Sequence, residues 1–136
     1  MSDLPAVKTS AEWIEYFHGN AENLREIPWE DGIKIAPDEL ADIAESLRAW
    51  QLGESSDGSH LRAAARKYAD KVGDPEFVEA IELFIAEEQR HGATLGRFLD
   101  RAGVPRATSN WGDSVFRQFR HILGNMETWT TRMWRN

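Results

Sequence analysis

The sequence predicts an all-α protein, and two observations carry that prediction. Apolar residues recur every three or four positions along several segments, which is the spacing of one helix face. Residues that start, stop or turn helices stand at the borders of these segments. At 136 residues the chain is long enough to bury a core of its own.

The composition is ordinary for a soluble globular protein, with 41% hydrophobic and 29% charged residues. Because there is no cysteine, disulfides, thiol catalysis and cysteine zinc sites are excluded, and any metal would be held by carboxylate and imidazole. The first residues lack the pattern of a signal peptide, and no run of eighteen apolar residues occurs. We therefore expect a cytoplasmic protein without a membrane span.

Charge is distributed unevenly along the chain. The net charge of −7 argues against general nucleic-acid binding. The acidic excess lies in residues 1–105, whereas residues 106–136 carry five basic and two acidic groups and several aromatic residues. This basic last segment suits an acidic protein partner.

The first helix is predicted to span residues 10–25. Thr9 and Glu12 have the spacing of a capping box, and an apolar stripe follows them. Glu15 and His18 lie off that stripe, so we expect them at the surface. Pro28 and Pro37 indicate an irregular connection, which places an N-terminal part at 1–37 and a helical domain at 38–136.

The next segment, 37–72, is predicted to form one long helix. Its stripe steps by four and three residues without a break and is polar only in the middle; the positions are Leu40, Ala44, Leu47, Gln51, Glu54, Gly58, Leu61, Ala65, Tyr68 and Val72. The composition of residues 53–59 instead favours a loop between two shorter helices. We favour the continuous helix because a loop has no evident reason to keep the register of the stripe.

In a continuous helix Glu54 would point into the helical core. A buried carboxylate needs a compensating partner, which a metal ion would supply. The alternatives are a Glu54 that is hydrogen-bonded to a core tyrosine or tryptophan, and a Glu54 in an exposed loop.

Gly73-Asp74-Pro75 predicts a sharp connection to a second core helix, giving an antiparallel hairpin over 38–103. The stripe of the second helix is Ile81, Ile85, Glu88, Gly92, Leu95, Leu99 and Ala102. Its polar interruption, Glu88 with His91 beside it, falls at a depth in the hairpin similar to that of Glu54. Glu87 is expected to face outward.

An acidic residue three positions before a histidine is a weak signal by itself. About 0.7 such pairs are expected by chance in this composition, whereas the chain has three: Glu15 with His18, Asp57 with His60, and Glu88 with His91. The three pairs must therefore be distinguished by where each one lies in the fold. We interpret Asp57 and His60 as surface residues, with a role as accessory ligands left open.

A last helix is predicted from about residue 113 to 134. Glu127 lies one step off its apolar stripe, so it is either an additional metal ligand or an exposed residue.

The residues QLGE (51–54) and EEQRH (87–91) resemble the ferritin-like superfamily, the carboxylate-bridged di-iron proteins that include bacterioferritin and rubrerythrin. The resemblance covers about 38–103. It implies Glu54, Glu88 and His91 as metal ligands, two irons per site or sometimes manganese, and oxidation chemistry on iron, oxygen or peroxide. The chain departs from the family because it lacks a fourth core helix.

One chain therefore supplies half of such a site. Two chains can complete a four-helix core as a homodimer or higher homo-oligomer, the chain can be a short member with a degenerate core, or it can be part of a longer protein. The leading hypothesis is a metal-binding protein with oxidoreductase or ferroxidase activity. The alternative is a non-enzymatic helical interaction module with a metal-free core.

Overall fold

The structure is a computed structural model that describes residues 7–108, and within them it contains α-helices and no strand. The four helices are α1 (Ser10–Glu22), α2 (Pro37–Glu54), α3 (Ser59–Val72) and α4 (Glu76–Arg101), with a 3-10 turn at Trp29–Asp31. The all-α prediction is thus confirmed for this part of the chain. The predicted last helix at 113–134 and its Glu127 lie outside the described residues.

Helix α1 begins with the predicted capping box. The backbone N–H of Glu12 donates to Thr9 Oγ1 over 3.3 Å, and the backbone N–H of Thr9 donates to Glu12 Oε2 over 2.7 Å. The helix ends at Glu22, earlier than expected, because Asn23 closes it: its backbone and side-chain amides both donate to the carbonyl of Gly19. The capping box predicted the start of the helix correctly, whereas the apolar stripe predicted its end too late in the sequence.

The prediction of one continuous helix over 37–72 is wrong, because α2 ends at Glu54 and α3 begins at Ser59. Gly58 takes a left-handed conformation with φ of 72°. The Oδ1 of Asp57 accepts the backbone N–H of Ser59 over 2.9 Å, which satisfies a free donor at the start of α3. Local preferences of Asp, Gly and Ser therefore outweighed the register of the stripe.

Helices α3 and α4 form the predicted antiparallel hairpin. Gly73 ends α3 with φ of 73°, and its backbone N–H donates to the carbonyl of Ala69. The order of the contacts between the two helices is antiparallel. Tyr68, near the end of α3, contacts Phe77, near the start of α4, whereas Arg62, earlier in α3, contacts Glu82, later in α4.

The polar loop between α2 and α3 continues this antiparallel series of contacts further along α4. Gln89 Nε2 donates to the carbonyl of Ser56 over 3.1 Å, and Gly58 packs on Ile85. One side of this loop is covered by α4. The stripe can therefore keep its spacing of three and four residues across a segment whose backbone is not helical.

The stripe predicted on α4 is confirmed, since each of its positions is buried or half-buried. Leu99 is fully buried and Ile85 is 4% exposed. None of the helices within residues 7–108 is both long and apolar enough to cross a membrane.

The described chain divides into two compact units. The first contains residues 7–32 and 55–91, and its buried side chains are Phe17, Ala65, Ala69, Ala80 and Ile85. The second contains residues 33–54 and 92–108, with Gln51 and Leu99 buried. The domain boundary predicted at residue 37 stays a prediction.

Within the first unit, α1 runs parallel to α4. Ser10 Oγ donates to Asp74 Oδ2 over 2.6 Å, the rings of Phe17 and Phe84 lie 6.1 Å apart, and Asn20 Nδ2 donates to Glu87 Oε2 over 2.9 Å. These contacts fix the side of α4 that α1 covers.

Candidate functional site

Glu88 and His91 lie one turn apart on α4, and their side chains meet. His91 Nδ1 is 3.7 Å from Glu88 Oε1. The imidazole is 53% exposed and the carboxylate 34% exposed, so both groups can be reached from solvent. Residues three apart on a helix share a face, which is why the sequence spacing brings these two groups together.

The geometry of this pair suits a shared metal ion. Carboxylate oxygens and imidazole nitrogens bind metals at about 2.0–2.2 Å, so an oxygen and a nitrogen 3.7 Å apart can both reach one ion, with an angle of about 120° between the bonds. Small side-chain rotations would reduce that angle toward the values of tetrahedral or octahedral sites. The pair therefore fits as two ligands of a metal, and a complete site needs further ligands.

Glu54 occupies a different local setting from the one that the sequence predicted. It is the last residue of α2 rather than the middle of a long helix, and it is half-buried. Its Oε1 accepts a hydrogen bond from Nε1 of Trp50, one turn earlier on the same helix. A tryptophan partner was one of the alternatives, although Trp50 is 61% exposed and not in the core.

Glu87 does not face outward as expected. Its side chain is only 16% exposed, accepts the hydrogen bond from Asn20, and lies 3.7 Å from the guanidinium of Arg90. The prediction was wrong because the stripe of α4 alone does not reveal which neighbouring face α1 covers. Glu87 has a role in joining α1 to α4.

The other two acid–histidine pairs are surface residues. Glu15 and His18 are exposed, as expected. Asp57 and His60 are exposed as well. Hydrogen bonds from Ser59 lower the pKa of Asp57, since they favour its ionised form. Asp57 thus caps a helix, whereas the Glu88 carboxylate is paired with an imidazole.

Within residues 7–108, no group of three or more His, Asp or Glu side chains lies close enough together to hold a metal ion. The pair on α4 is therefore the part of the predicted ligand set that the structure brings together. Glu127, the remaining candidate, lies outside the described residues.

Sequence reasoning missed the residues that hold the loop between α2 and α3. Arg62 Nε lies 2.8 Å from both carboxylate oxygens of Glu82, and its Nη1 donates to the carbonyl of Asp57. The Asp-Gly-Ser run at 57–59 was the signal that could have revealed a helix start here. No sequence pattern identified the residues of α4 that help to hold this loop.

In comparisons with protein families, curated proteins and solved structures, nothing matches this chain.

Proposed function

We propose that this protein binds a transition metal ion through Glu88 and His91 and belongs to the ferritin-like type. The observation that carries the proposal is the 3.7 Å approach of His91 Nδ1 to Glu88 Oε1 on the solvent-accessible side of α4. A rigid helix holds the backbone of the two ligands at a fixed spacing, so little backbone freedom is lost when a metal binds. The other two acid–histidine pairs, in which all four residues are exposed, serve as comparisons.

Two ligands are too few for a stable site, because iron, manganese and zinc in proteins take at least four. The ferritin-like resemblance assigns the next ligand to Glu54 and an additional one to Glu127. It also implies a second copy of the chain, so that two half-sites surround two metal ions. Iron is preferred to manganese on that resemblance, and the metal would supply oxidation chemistry with oxygen or peroxide.

The protein's own residues have definite roles in this proposal. Glu88 contributes negative charge that offsets the charge of the cation, and His91 contributes a neutral nitrogen ligand. The partial exposure of both groups leaves room for water or a small oxidant at the metal. We place the protein in the cytoplasm as a homo-oligomer that binds no nucleic acid, in keeping with its acidic body.

The second candidate function is a non-enzymatic interaction module with a metal-free core. The observation that favours it lies on α2, where Ile43 is 40% and Trp50 61% exposed. They lie seven positions apart, so they share a face of the helix. Exposed aromatic and aliphatic side chains on one face are typical of surfaces that bind other proteins. The basic segment 106–136 would then recruit an acidic partner.

One experiment separates the two functions. The full chain, purified without chelator, is analysed for metal content and for solution mass. Metal binding predicts bound iron or manganese and an even number of chains, with metal lost in the Glu88→Ala variant. The interaction module predicts no metal, and it predicts that Glu88→Ala leaves the solution mass unchanged.

A further inference from the structure

Trp13 and Tyr16 form an aromatic corner on the exposed side of α1. Their ring centroids are 5.4 Å apart, and the ring planes stand at 88° to each other. Trp13 is 39% and Tyr16 45% exposed, so both residues can be reached from solvent. Trp13 also stacks on the buried ring of Phe17, with centroids 5.7 Å apart, which holds the corner against the rest of the unit.

The side chain of Lys8 reaches into this corner. Its Nζ lies 5.9 Å from the centroid of each ring, at the outer limit of a cation–π contact. The capping box fixes the backbone directly after Lys8, so the lysine is presented from a defined point. The hydrogen bonds from Thr9 lower the pKa of Glu12, and the charge of Lys8 adds to that effect. A carboxylate therefore shares the neighbourhood of the ammonium.

We propose that the Trp13–Tyr16 corner is a binding site for a quaternary ammonium group, and that Lys8 competes for it from within the chain. The negative faces of two perpendicular rings attract a cation from two sides. A lysine ammonium is strongly hydrated and stays distant from the rings. A quaternary ammonium donates no hydrogen bond to water, and its methyl groups can pack directly on both rings. It therefore gains more from this corner than Lys8 does.

The test uses tetramethylammonium chloride as the probe and the full chain as the receptor. Binding is followed by the indole N–H signal of Trp13 in ¹H–¹⁵N spectra, which is identified by its absence in Trp13→Phe. Lys8→Ala removes the competitor, and Lys34→Ala is the control for a lost positive charge. We expect saturable binding that is about threefold tighter in Lys8→Ala than in the wild type or in Lys34→Ala.

The neutral compound tert-butanol has a similar size and shape and should produce no saturable shift. Two further ligands identify the source of the group: free choline, and a peptide that contains trimethyllysine. Tighter binding of choline assigns the site to a small molecule, and tighter binding of the peptide assigns it to a protein side chain. The proposal is overturned by the absence of saturation in Lys8→Ala, by equal affinities of Lys8→Ala and wild type, or by equal binding of tert-butanol.

Discussion

Gly58 lies against Ile85 so closely that a Cβ at residue 58 would stand 2.7 Å from Ile85 Cδ1 and 2.9 Å from Cγ2. Gly58 also has φ of +72°, a conformation that other residues adopt only at a cost. This residue therefore satisfies two requirements at once: it turns the chain into α3, and it lets that turn rest on α4. The break between α2 and α3 depends on both.

The first prediction concerns Gly58→Ala, with Gly73→Ala as the matched control. Gly73 has φ of +73°, but an added Cβ there meets nothing within 4 Å. We expect Gly73→Ala to lower the free energy of unfolding by about 1–2 kcal/mol, from the backbone conformation alone. Gly58→Ala should cost about 1–3 kcal/mol more, because the new methyl group overpacks Ile85.

Chemical denaturation of the two variants measures this difference. Equal losses would show that Gly58 is needed only for its backbone conformation. A Gly58→Ala variant as stable as the wild type would contradict the described packing.

The second prediction concerns Arg62 and Glu82. Their side chains are 31% and 39% exposed, and the contact distance is 2.8 Å. Because both groups are partly solvated, we expect a coupling free energy of about 0.5–1 kcal/mol in a double-mutant cycle with alanine. The pair Arg48 and Glu45, in which the glutamate is 68% exposed, should show a smaller coupling. A larger coupling in this second pair would be inconsistent with the burial of the first.

The third prediction is a pH dependence from the capping box. The hydrogen bonds from Thr9 lower the pKa of Glu12 below its usual value of 4.5. A carboxyl group with a lower pKa in the folded state stabilises the fold above its unfolded pKa, and this contribution is lost as the pH falls through the folded pKa. Wild type should therefore exceed Glu12→Gln in stability at pH 7, and the difference should shrink below pH 4.5.

Thermal unfolding of wild type and Glu12→Gln between pH 7 and pH 3 checks this expectation. A stability difference that stays constant over the whole range would mean that the ionised carboxylate makes no contribution of its own.

The fold was predictable where local signals and the apolar stripe agreed. Thr9 and Glu12 marked the start of α1, Gly73 marked the end of α3, and the stripe of α4 matched its buried face. The two kinds of signal disagreed most clearly at residues 53–59. There the stripe was given too much weight, because a loop that packs on a helix also has a covered side. The regular spacing of covered residues in such a loop therefore does not show whether the backbone is helical.

The candidate site was predictable only in its local part. Helical spacing places Glu88 and His91 on one face of α4 whatever the rest of the fold does. The setting of Glu54 depended on a continuous helix, and it changed when that helix proved to be broken. Glu87 was misplaced for a related reason: its burial comes from Asn20 of α1, and no pattern within α4 encodes that contact.

The most direct test of the metal proposal is a calorimetric titration of the full chain with Fe²⁺ under anaerobic conditions. The wild type is compared with Glu88→Ala, His91→Ala and the matched control His60→Ala, which disrupts an acid–histidine pair of the same spacing. We predict that the wild type and His60→Ala bind iron with equal affinity, and that the two substitutions on α4 weaken binding at least tenfold, because even the loss of a residue that only supports a metal ligand typically costs about tenfold or more in affinity. Equal binding by all four proteins, or no binding by the wild type, would contradict the proposal.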